Sequence, residues 1–324
     1  MTWHPVPCSI AQTEHGDLQV VTVDNGPLRL AFLPQVGGRL ISLEVHGSEV
    51  LWRNPAWLAE DLFPTLPHAS WRRPDGTMGS WVNAGGAKTW PAPQGWSGPG
   101  EWAGPPDDVL DSGTYAVEHS LGADGTAVVR LTSGVDPRTG LRITRTFEVA
   151  PGALSFRQES RFTNAGDVPV RWSIWEVAQV DTRPLDAVPT RGTFLVRTGP
   201  GPARRDLLEV TGRATALEEA GQVVVPVQDV VAKLGFPTAT GRVEWHRGDG
   251  LRLALEIEVE DPADHPDGGC PVELWLQHPI DAPLAAFSGL HPDAHLVEME
   301  VLGPLRTLAP GSCTTMTTTW TTVP

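Results

Sequence analysis

Short runs of alternating apolar and polar residues recur along most of the chain. They are rich in Val, Leu and Ile, and segments of Gly, Pro, Asn and Asp separate them, a pattern typical of β-strands joined by tight turns. We predict strands at Leu18–Val23, Leu28–Leu33, Arg39–Val45, Thr114–His119, Thr126–Thr132, Leu141–Val149, Leu154–Thr163, Val168–Val180, Gly192–Val196, Leu207–Thr211, Gln222–Val225, Val230–Leu234, Arg242–Trp245, Leu251–Glu260, Val272–His278, Leu296–Leu302 and Thr314–Trp320. So many short strands predict an all-β fold, a large antiparallel sandwich with few short helices. The candidate helical turns are Pro55–Asp61 and Ala216–Ala220.

One long segment, at about 53–113, lacks this alternation and is rich in Gly, Pro and Trp. Seven of the chain's 13 tryptophans lie between Trp52 and Gly113. An irregular segment of about 60 residues is uncommon inside a compact domain unless it is functional. No change in composition divides the chain elsewhere. We therefore predict a single domain, residues 1–324, with this segment as a loop insertion that carries a binding site.

The stretch Trp81–Trp102 concentrates the aromatic residues of the insertion. Its four tryptophans, Trp90 and Trp96 among them, accompany a single lysine, Lys88. Two interpretations stay open: a lid that covers a sheet edge, or an aromatic surface that binds a ligand. A sugar would suit the second, because the C–H face of a pyranose packs on an aromatic ring while its hydroxyls need polar neighbours.

Charge and motif content narrow the possible partners. The formal net charge is −15, which argues against nucleic acid and anionic membranes, since both would repel the protein. Three distant cysteines, scattered histidines and the lack of nucleotide-binding or hydrolase motifs predict no metal and no cofactor. With no signal-peptide pattern and no membrane-length apolar run, we expect a cytoplasmic protein, and the sequence leaves its oligomeric state open.

The strand Leu296–Leu302 carries two acidic residues with a spacing of two. Val297, Met299 and Val301 would share one face, which leaves Glu298 and Glu300 on the other. Their carboxylates would lie roughly 6–7 Å apart. In a cleft, mutual repulsion and burial would raise one pKa and provide a general acid or base. A solvated strand face is the alternative.

The strand Val272–His278 repeats this pattern. Its apolar residues alternate with Glu273, Trp275 and Gln277, and His278 ends the strand. A tryptophan flanked by two hydrogen-bonding residues is typical of a sugar platform, and equally of an exposed strand with one packing tryptophan.

Three further residues are candidates for ligand binding. Arg39 follows two glycines and could point at the site or form a surface salt bridge. Trp175 and Glu176 follow a turn at Asn164–Asp167, and the carboxylate of Glu176 could be buried with a shifted pKa or paired with Arg171 or Arg183.

Four segments, taken together, carry a family resemblance. They are LPQVGGRLISLEVHGSEVLW (33–52), GGAKTWPAPQ (85–94), FTNAGDVPVRWSIWEV (162–177) and VEMEVLGPLRTLAPGS (297–312). In combination they resemble the galactose mutarotase-like superfamily, which has the aldose 1-epimerase supersandwich fold. The chain is most similar to a branch of it that is described only as a domain of unknown function.

The resemblance implies a position for a catalytic base. Mutarotases of this superfamily use a glutamate on a late strand, upstream of a Leu-x-Pro-Gly turn, and Glu298 and Glu300 precede such a turn at 308–311. The family's histidine acids have no counterpart. Lys88 and Trp90 stand where the first is expected, and Trp172, Trp175 and Glu176 stand near the second.

Two functions follow from the resemblance, and both take a small-molecule carbohydrate as partner. One is an isomerase, an aldose or sugar-phosphate epimerase, in which the glutamate removes the anomeric hydroxyl proton while Lys88, His278 or a protonated second carboxyl supplies the acid. The other is a non-catalytic sugar-binding or sensing protein that has lost the catalytic histidines. Arg39 and Lys88 leave a phosphorylated ligand open in both cases.

Overall fold

A computed structural model describes residues 6–95, 100–186, 188, 190–260 and 264–324, and nearly all its regular structure is strand. The strands are β1 (Ser9–His15), β2 (Leu18–Asp24), β3 (Leu28–Leu33), β4 (Arg39–Val45), β5 (Ser48–Glu49), β6 (Ala87–Ala92), β7 (Ala116–Leu121), β8 (Ala127–Val135), β9 (Leu141–Val149), β10 (Ser155–Asn164), β11 (Val170–Asp181), β12 (Gly192–Thr198), β13 (Arg205–Glu209), β14 (Leu217–Glu219), β15 (Gln222–Pro226), β16 (Ala232–Phe236), β17 (Ala239–Arg247), β18 (Arg252–Glu256), β19 (Val272–Gln277), β20 (Leu296–Leu302), β21 (Arg306–Leu308) and β22 (Cys313–Val323).

The strands form two antiparallel sheets around a large hydrophobic core, and a smaller hydrophobic cluster packs β2, β3 and β4 against residues of the segment 53–113. The first sheet runs β1-β2-β3-β4-β6-β11-β20-β19-β16-β13, with β5 beside β4 and β21 beside β11. The second runs β14-β15-β12-β17-β18-β22-β10-β9-β8-β7. The prediction of an all-β antiparallel sandwich is confirmed.

Helices among the described residues have three or four residues each. Three are 3₁₀ helices, at His68–Ser70, Met78–Ser80 and Ala285–Phe287, and the fourth is the helical turn Pro266–Gly269. The two predicted helical turns are wrong: Pro55–Asp61 forms non-helical turns, and Leu217–Glu219 is strand β14. No helix in the described part of the chain has the length and apolar character needed to cross a membrane.

Alternation along the strands explains how the core forms. In β9, every second side chain from Leu141 to Val149 is buried. Aromatic rings of the two sheets meet in the core, where Phe32 of β3 lies 4.8 Å from Phe147 of β9. Within the second sheet, Phe156 of β10 stacks 5.3 Å from Trp320 of β22. Each such ring stabilises the fold by about 1.5–3 kcal/mol relative to exposure.

The interior also holds a buried polar cluster. Arg145 of β9 donates hydrogen bonds to the carbonyls of Gly38 and Ala87 and lies 3.8 Å from Glu176 of β11. Thr89 and Gln158 donate to the same carboxylate, at 2.8 and 2.7 Å. Burial raises the pKa of Glu176, although Arg145 opposes the shift. This cluster ties the two sheets together, because Arg145 and Gln158 of the second sheet bond to Ala87 and Glu176 of the first.

The segment expected to be irregular contains a central strand, which corrects the prediction for residues 53–113. Strand β6 lies between β4 and β11, and all six of its residues are buried. A strand buried on both faces shows no alternation of polar and apolar residues, so the sequence pattern does not reveal it. The other described residues of the segment are irregular apart from two 3₁₀ helices and isolated bridges.

Five neighbouring strands position the site described below: β6, β11, β20, β19 and β16. On β20, Val297, Met299 and Val301 belong to the hydrophobic core between the sheets. The period of two therefore directs Glu298 and Glu300 away from that core, as the sequence predicted.

Candidate functional site

A cavity of about 370 Å³ lies on the face of these strands that points away from the core. Its lining residues come from the five strands and from the segments that surround them. They are Met78, Trp81, Asn83, Trp90, Gln94, Pro105, Trp175, Gln179, Leu207, Leu208, Lys233, Asp267, Trp275, Gln277, Phe287, Leu290, Glu298 and Glu300. The volume is within the range of small-molecule sites, and the lining combines aromatic walls with a few convergent polar groups.

Glu298 is the more accessible of the two carboxylates on β20, with a side chain 11% exposed. Gln179 of β11 lies opposite it in the sheet and donates a hydrogen bond of 2.7 Å to Oε1. The same oxygen accepts a bond of 3.3 Å from Nζ of Lys88. These two donors fix the position of the Glu298 carboxylate at the cavity wall.

Glu300 lies deeper, against a second lysine. Nζ of Lys233 is 3.1 Å from Glu300 and 2.6 Å from Glu273, which faces Glu300 across β19 and β20. The indole N–H of Trp175 donates a 2.8 Å hydrogen bond to Oε2 of Glu300. Burial raises the pKa of Glu300 to about 7 against the opposing charge of Lys233, and burial also raises the pKa of Glu273 well above its ordinary value.

The two lysines respond to burial in opposite ways. Burial lowers the pKa of Lys88 to about 8, although Glu298 opposes the shift. Burial would lower the pKa of Lys233 too, but Glu273 and Glu300 together raise it above its ordinary value. The two carboxyls therefore favour the charged form of Lys233, whereas burial makes Lys88 the easier of the two lysines to deprotonate.

Indole rings surround both ammonium groups. Nζ of Lys88 lies 4.5 Å from the ring centroid of Trp90 and 5.0 Å from that of Trp81. Nζ of Lys233 lies 4.6 Å from the ring of Trp175. Trp90 and Trp175 meet edge to face at 5.3 Å. These cation–π contacts hold the lysines close to the strand surface.

Asp111 holds the indole rings of Trp81 and Trp90 in position through hydrogen bonds. It accepts hydrogen bonds from the indole N–H groups of Trp81 and Trp90, at 2.8 and 3.2 Å. Arg39, which is fully buried, pairs with the same carboxylate at 2.5 Å and donates to the carbonyl of Gly85. Arg39 thus neither lines the cavity nor forms the surface salt bridge that the sequence left open.

The structure brings most of the predicted site residues together. Glu298, Glu300, Trp90, Trp175, Trp275 and Gln277 line the cavity, and Lys88 and Glu273 contact lining residues directly. Arg39, Glu176 and His278 are not among the lining residues. Trp96 lies outside the described residues.

Glu176 forms neither of the ion pairs, with Arg171 or with Arg183, that the sequence left open. It faces the core cluster around Arg145, while Arg171 pairs with Asp264 and Arg183 pairs with Asp181. The alternative of a buried carboxylate with a shifted pKa is the one that the geometry matches.

Sequence reasoning missed Lys233, Gln179 and Asp267. The first has a compositional signal: the chain contains only two lysines, Lys88 and Lys233, against 22 arginines, and both lie at this cavity. A lysine differs from an arginine as a compact charge whose pKa shifts readily on burial. Nothing in the composition of the chain distinguishes Gln179 or Asp267 in this way.

The described part of this site lacks a lining histidine and a metal-binding cluster, two features that are common in enzyme sites. No histidine is among the residues that line the cavity. No group of three or more His, Cys, Asp or Glu within the described ranges has the geometry to hold a metal ion.

Solved structures share this architecture, whereas no family model and no curated protein matches the chain. A proposed aldose 1-epimerase from Klebsiella pneumoniae has a TM-score of 0.61 at 14% identity, over 97% of this chain and 83% of that one. A galactose mutarotase-like protein from Clostridium acetobutylicum also has a TM-score of 0.61, at 8% identity, over 98% and 99%. A TPR-domain-containing protein from Parabacteroides distasonis matches at 0.59 and 13% identity, and this chain spans 56% of its length. At these identities the likeness shows the fold that the sequence resemblance predicted.

Proposed function

Because the chain has the galactose mutarotase-like fold, we propose that its cavity binds an aldose and that Glu298 and Glu300 catalyse exchange between the two anomers. The observation that carries the proposal is the pair of carboxyls side by side on β20, in a cavity walled by four indoles. Two carboxyls in unlike environments can take the roles of base and acid.

Glu298 is suited to act as the base. Lys88 and Gln179 donate to one of its oxygens and hold it in place, and the side chain is partly exposed to the cavity. In this position it can accept the proton of the anomeric hydroxyl while the bond from the anomeric carbon to the ring oxygen breaks.

Glu300 is suited to act as the acid. With a pKa of about 7 it is protonated in a large fraction of molecules at neutral pH. It would donate its proton to the ring oxygen as the ring opens, which leaves an open-chain aldehyde. Rotation about the bond next to the aldehyde carbon and reversal of both proton transfers then close the ring as the other anomer.

Trp275 is the candidate platform for the sugar ring. It is partly exposed in the cavity, and its indole N–H donates to Oε1 of Gln277 at 3.2 Å, so the ring is held in place. Stacking on this ring would orient the sugar above the carboxyls of β20, because Trp275 faces Glu298 in the sheet.

A second candidate function is sugar binding without catalysis. The lack of histidine among the described lining residues favours it, as does the ion pairing of each carboxyl with a lysine. Under this proposal the carboxyls would accept hydrogen bonds from sugar hydroxyls and transfer no proton.

Anomer exchange and binding, measured in parallel, separate the two candidates. We would follow exchange by NMR for a panel of aldoses, with buffer alone as the control, and measure affinity by calorimetry. Exchange faster than in buffer, at about 10²-fold or more for the best sugar, supports the enzyme. Binding without faster exchange supports the sugar-binding protein, and an absence of both for every aldose overturns both candidates.

A further inference from the structure

The four indole N–H groups of the cavity, and at least one N–H of each lysine beside it, are engaged by acceptors of the protein itself. The indole N–H groups of Trp81 and Trp90 donate to Asp111, that of Trp175 donates to Glu300, and that of Trp275 donates to Gln277. Both lysines are held by carboxylates. The side-chain amides of Gln94, Gln179 and Gln277 donate to Gly104, Glu298 and Ala294, so Asn83 is the one lining amide with no donated bond to a described residue.

Acceptors, in contrast, remain available. Gln179 is 1% exposed, and its Oε1 has no hydrogen-bond partner in the described part of the protein. A buried carbonyl oxygen without a partner is costly, and a ligand donor would relieve that cost. Asp267 also lines the cavity, is half-buried, and forms no ion pair within the described ranges. The charge of Asp267 acts on Lys233, which places it near the same polar cluster.

The charges around the cavity also favour a ligand that donates hydrogen bonds and carries positive charge. Four carboxyl groups (Asp267, Glu273, Glu298 and Glu300) face two ammonium groups. Even with one carboxyl of the Glu273–Glu300 pair protonated, the cluster stays negative. A fully ionised phosphate group only accepts hydrogen bonds and carries negative charge, so it would meet like charges in this cavity.

From this balance we infer that the preferred ligand is an aldose that carries a protonated amine, an amino sugar. An ammonium group donates hydrogen bonds and accepts none, so it suits a cavity whose described lining includes an unpaired carboxylate, Asp267, and an unpartnered carbonyl oxygen, Gln179 Oε1. Aromatic walls favour a cation further. The inference rests on the proposed sugar site and narrows its substrate class, and it argues against the phosphorylated ligand that the sequence left open.

Calorimetry with matched sugars tests the inference. Glucosamine, galactosamine and mannosamine are compared with their parent sugars, their N-acetyl forms and glucose 6-phosphate, at a pH where the amines are protonated. We expect at least one amino sugar to bind about tenfold tighter than its parent, the scale of one charged hydrogen bond. The N-acetyl form, which lacks the charge, should lose this gain.

Asp267→Asn should remove most of the preference for the amino sugar over its parent sugar. Asp267 has a φ of 52°, and Asn adopts this left-handed region readily, so the variant should fold. Asp264→Asn, three residues away and paired with Arg171 on the surface, is the control and should keep the preference.

Equal or weaker binding of every amino sugar relative to its parent overturns the inference and leaves the sugar site standing. Tighter binding of glucose 6-phosphate than of every amino sugar also overturns it. An absence of binding by every sugar overturns the proposed function together with the inference.

Discussion

Replacing Lys233 by Met should destabilise the protein in a way that depends on pH. The ammonium group lies 2.6 Å from Glu273 and 3.1 Å from Glu300, and both carboxyls are almost fully buried. Met keeps the volume of the side chain and removes the charge. The two carboxyls would then face each other across β19 and β20 without a cation between them.

Removing one partner of a buried ion pair costs about 3–5 kcal/mol. For a chain of 324 residues, an unfolding entropy of roughly 0.7 kcal/mol/K converts this cost to about 4–7 °C in Tm. The pKa values of both carboxyls are already raised by burial, and loss of Lys233 raises them further. Because the folded variant holds protons that the unfolded chain releases above pH of about 4.3, the penalty grows as pH rises.

Thermal and urea unfolding of the variant at about pH 5.5 and pH 8.5 measures the effect. We expect the full penalty at the higher pH and less than about half of it at the lower. Arg157→Met is a matched control, because Arg157 also bridges two carboxylates, Glu148 and Glu159, but on an exposed face. That variant should change stability by less than about 1 kcal/mol. An equal penalty at both pH values, or none, would refute the electrostatic account of Lys233.

Two further predictions concern turnover and binding. The rate of anomer exchange should fall as pH rises through about 7, because Glu300 loses the proton that it donates. Glu300→Gln should abolish this fall in rate at alkaline pH. A rate that stays flat up to pH of about 9 would contradict the role of Glu300 as the acid. Trp275→Ala should weaken sugar binding by about tenfold with little change in Tm. Trp245→Ala is the control, because this ring is fully buried and stacks on Phe194 in the second sheet. The control should cost about 3–5 kcal/mol of stability and leave affinity unchanged. Unaltered affinity in Trp275→Ala, measured by calorimetry, would remove this ring from the platform.

The sequence predicts strands well where one face is polar. Leu141–Val149 and Leu296–Leu302 have the predicted bounds, because alternation marks both. Ala87–Ala92 was missed because both faces of β6 are buried, and its neighbours β4 and β11 are distant in sequence. Gly and Pro around β6 further conceal it, since such residues usually indicate turns.

The candidate site was predictable in part for the same reason. Because side chains alternate between the two faces of a strand, Glu298 and Glu300 lie on one face of β20. The same alternation places Trp275 and its polar neighbours on one face of β19. The role of Lys233 depends on how β16 pairs with β19, and strand pairing at that separation cannot be read from local pattern. The sequence places Glu176 beside Trp175 on the chain, but a single step along a strand turns a side chain to the opposite face.

The central claim is that a carboxyl pair on β20 transfers protons to and from a bound sugar. Its most direct test is NMR exchange between anomers, with affinity measured beside it, for the parent protein, Glu298→Gln and the control Glu159→Gln on the outer face of the second sheet. We predict that Glu298→Gln lowers the exchange rate by about 10²-fold or more while affinity falls by about tenfold at most, and that Glu159→Gln matches the parent. If Glu298→Gln exchanges anomers at the parent rate, Glu298 is not the base and the claim is wrong.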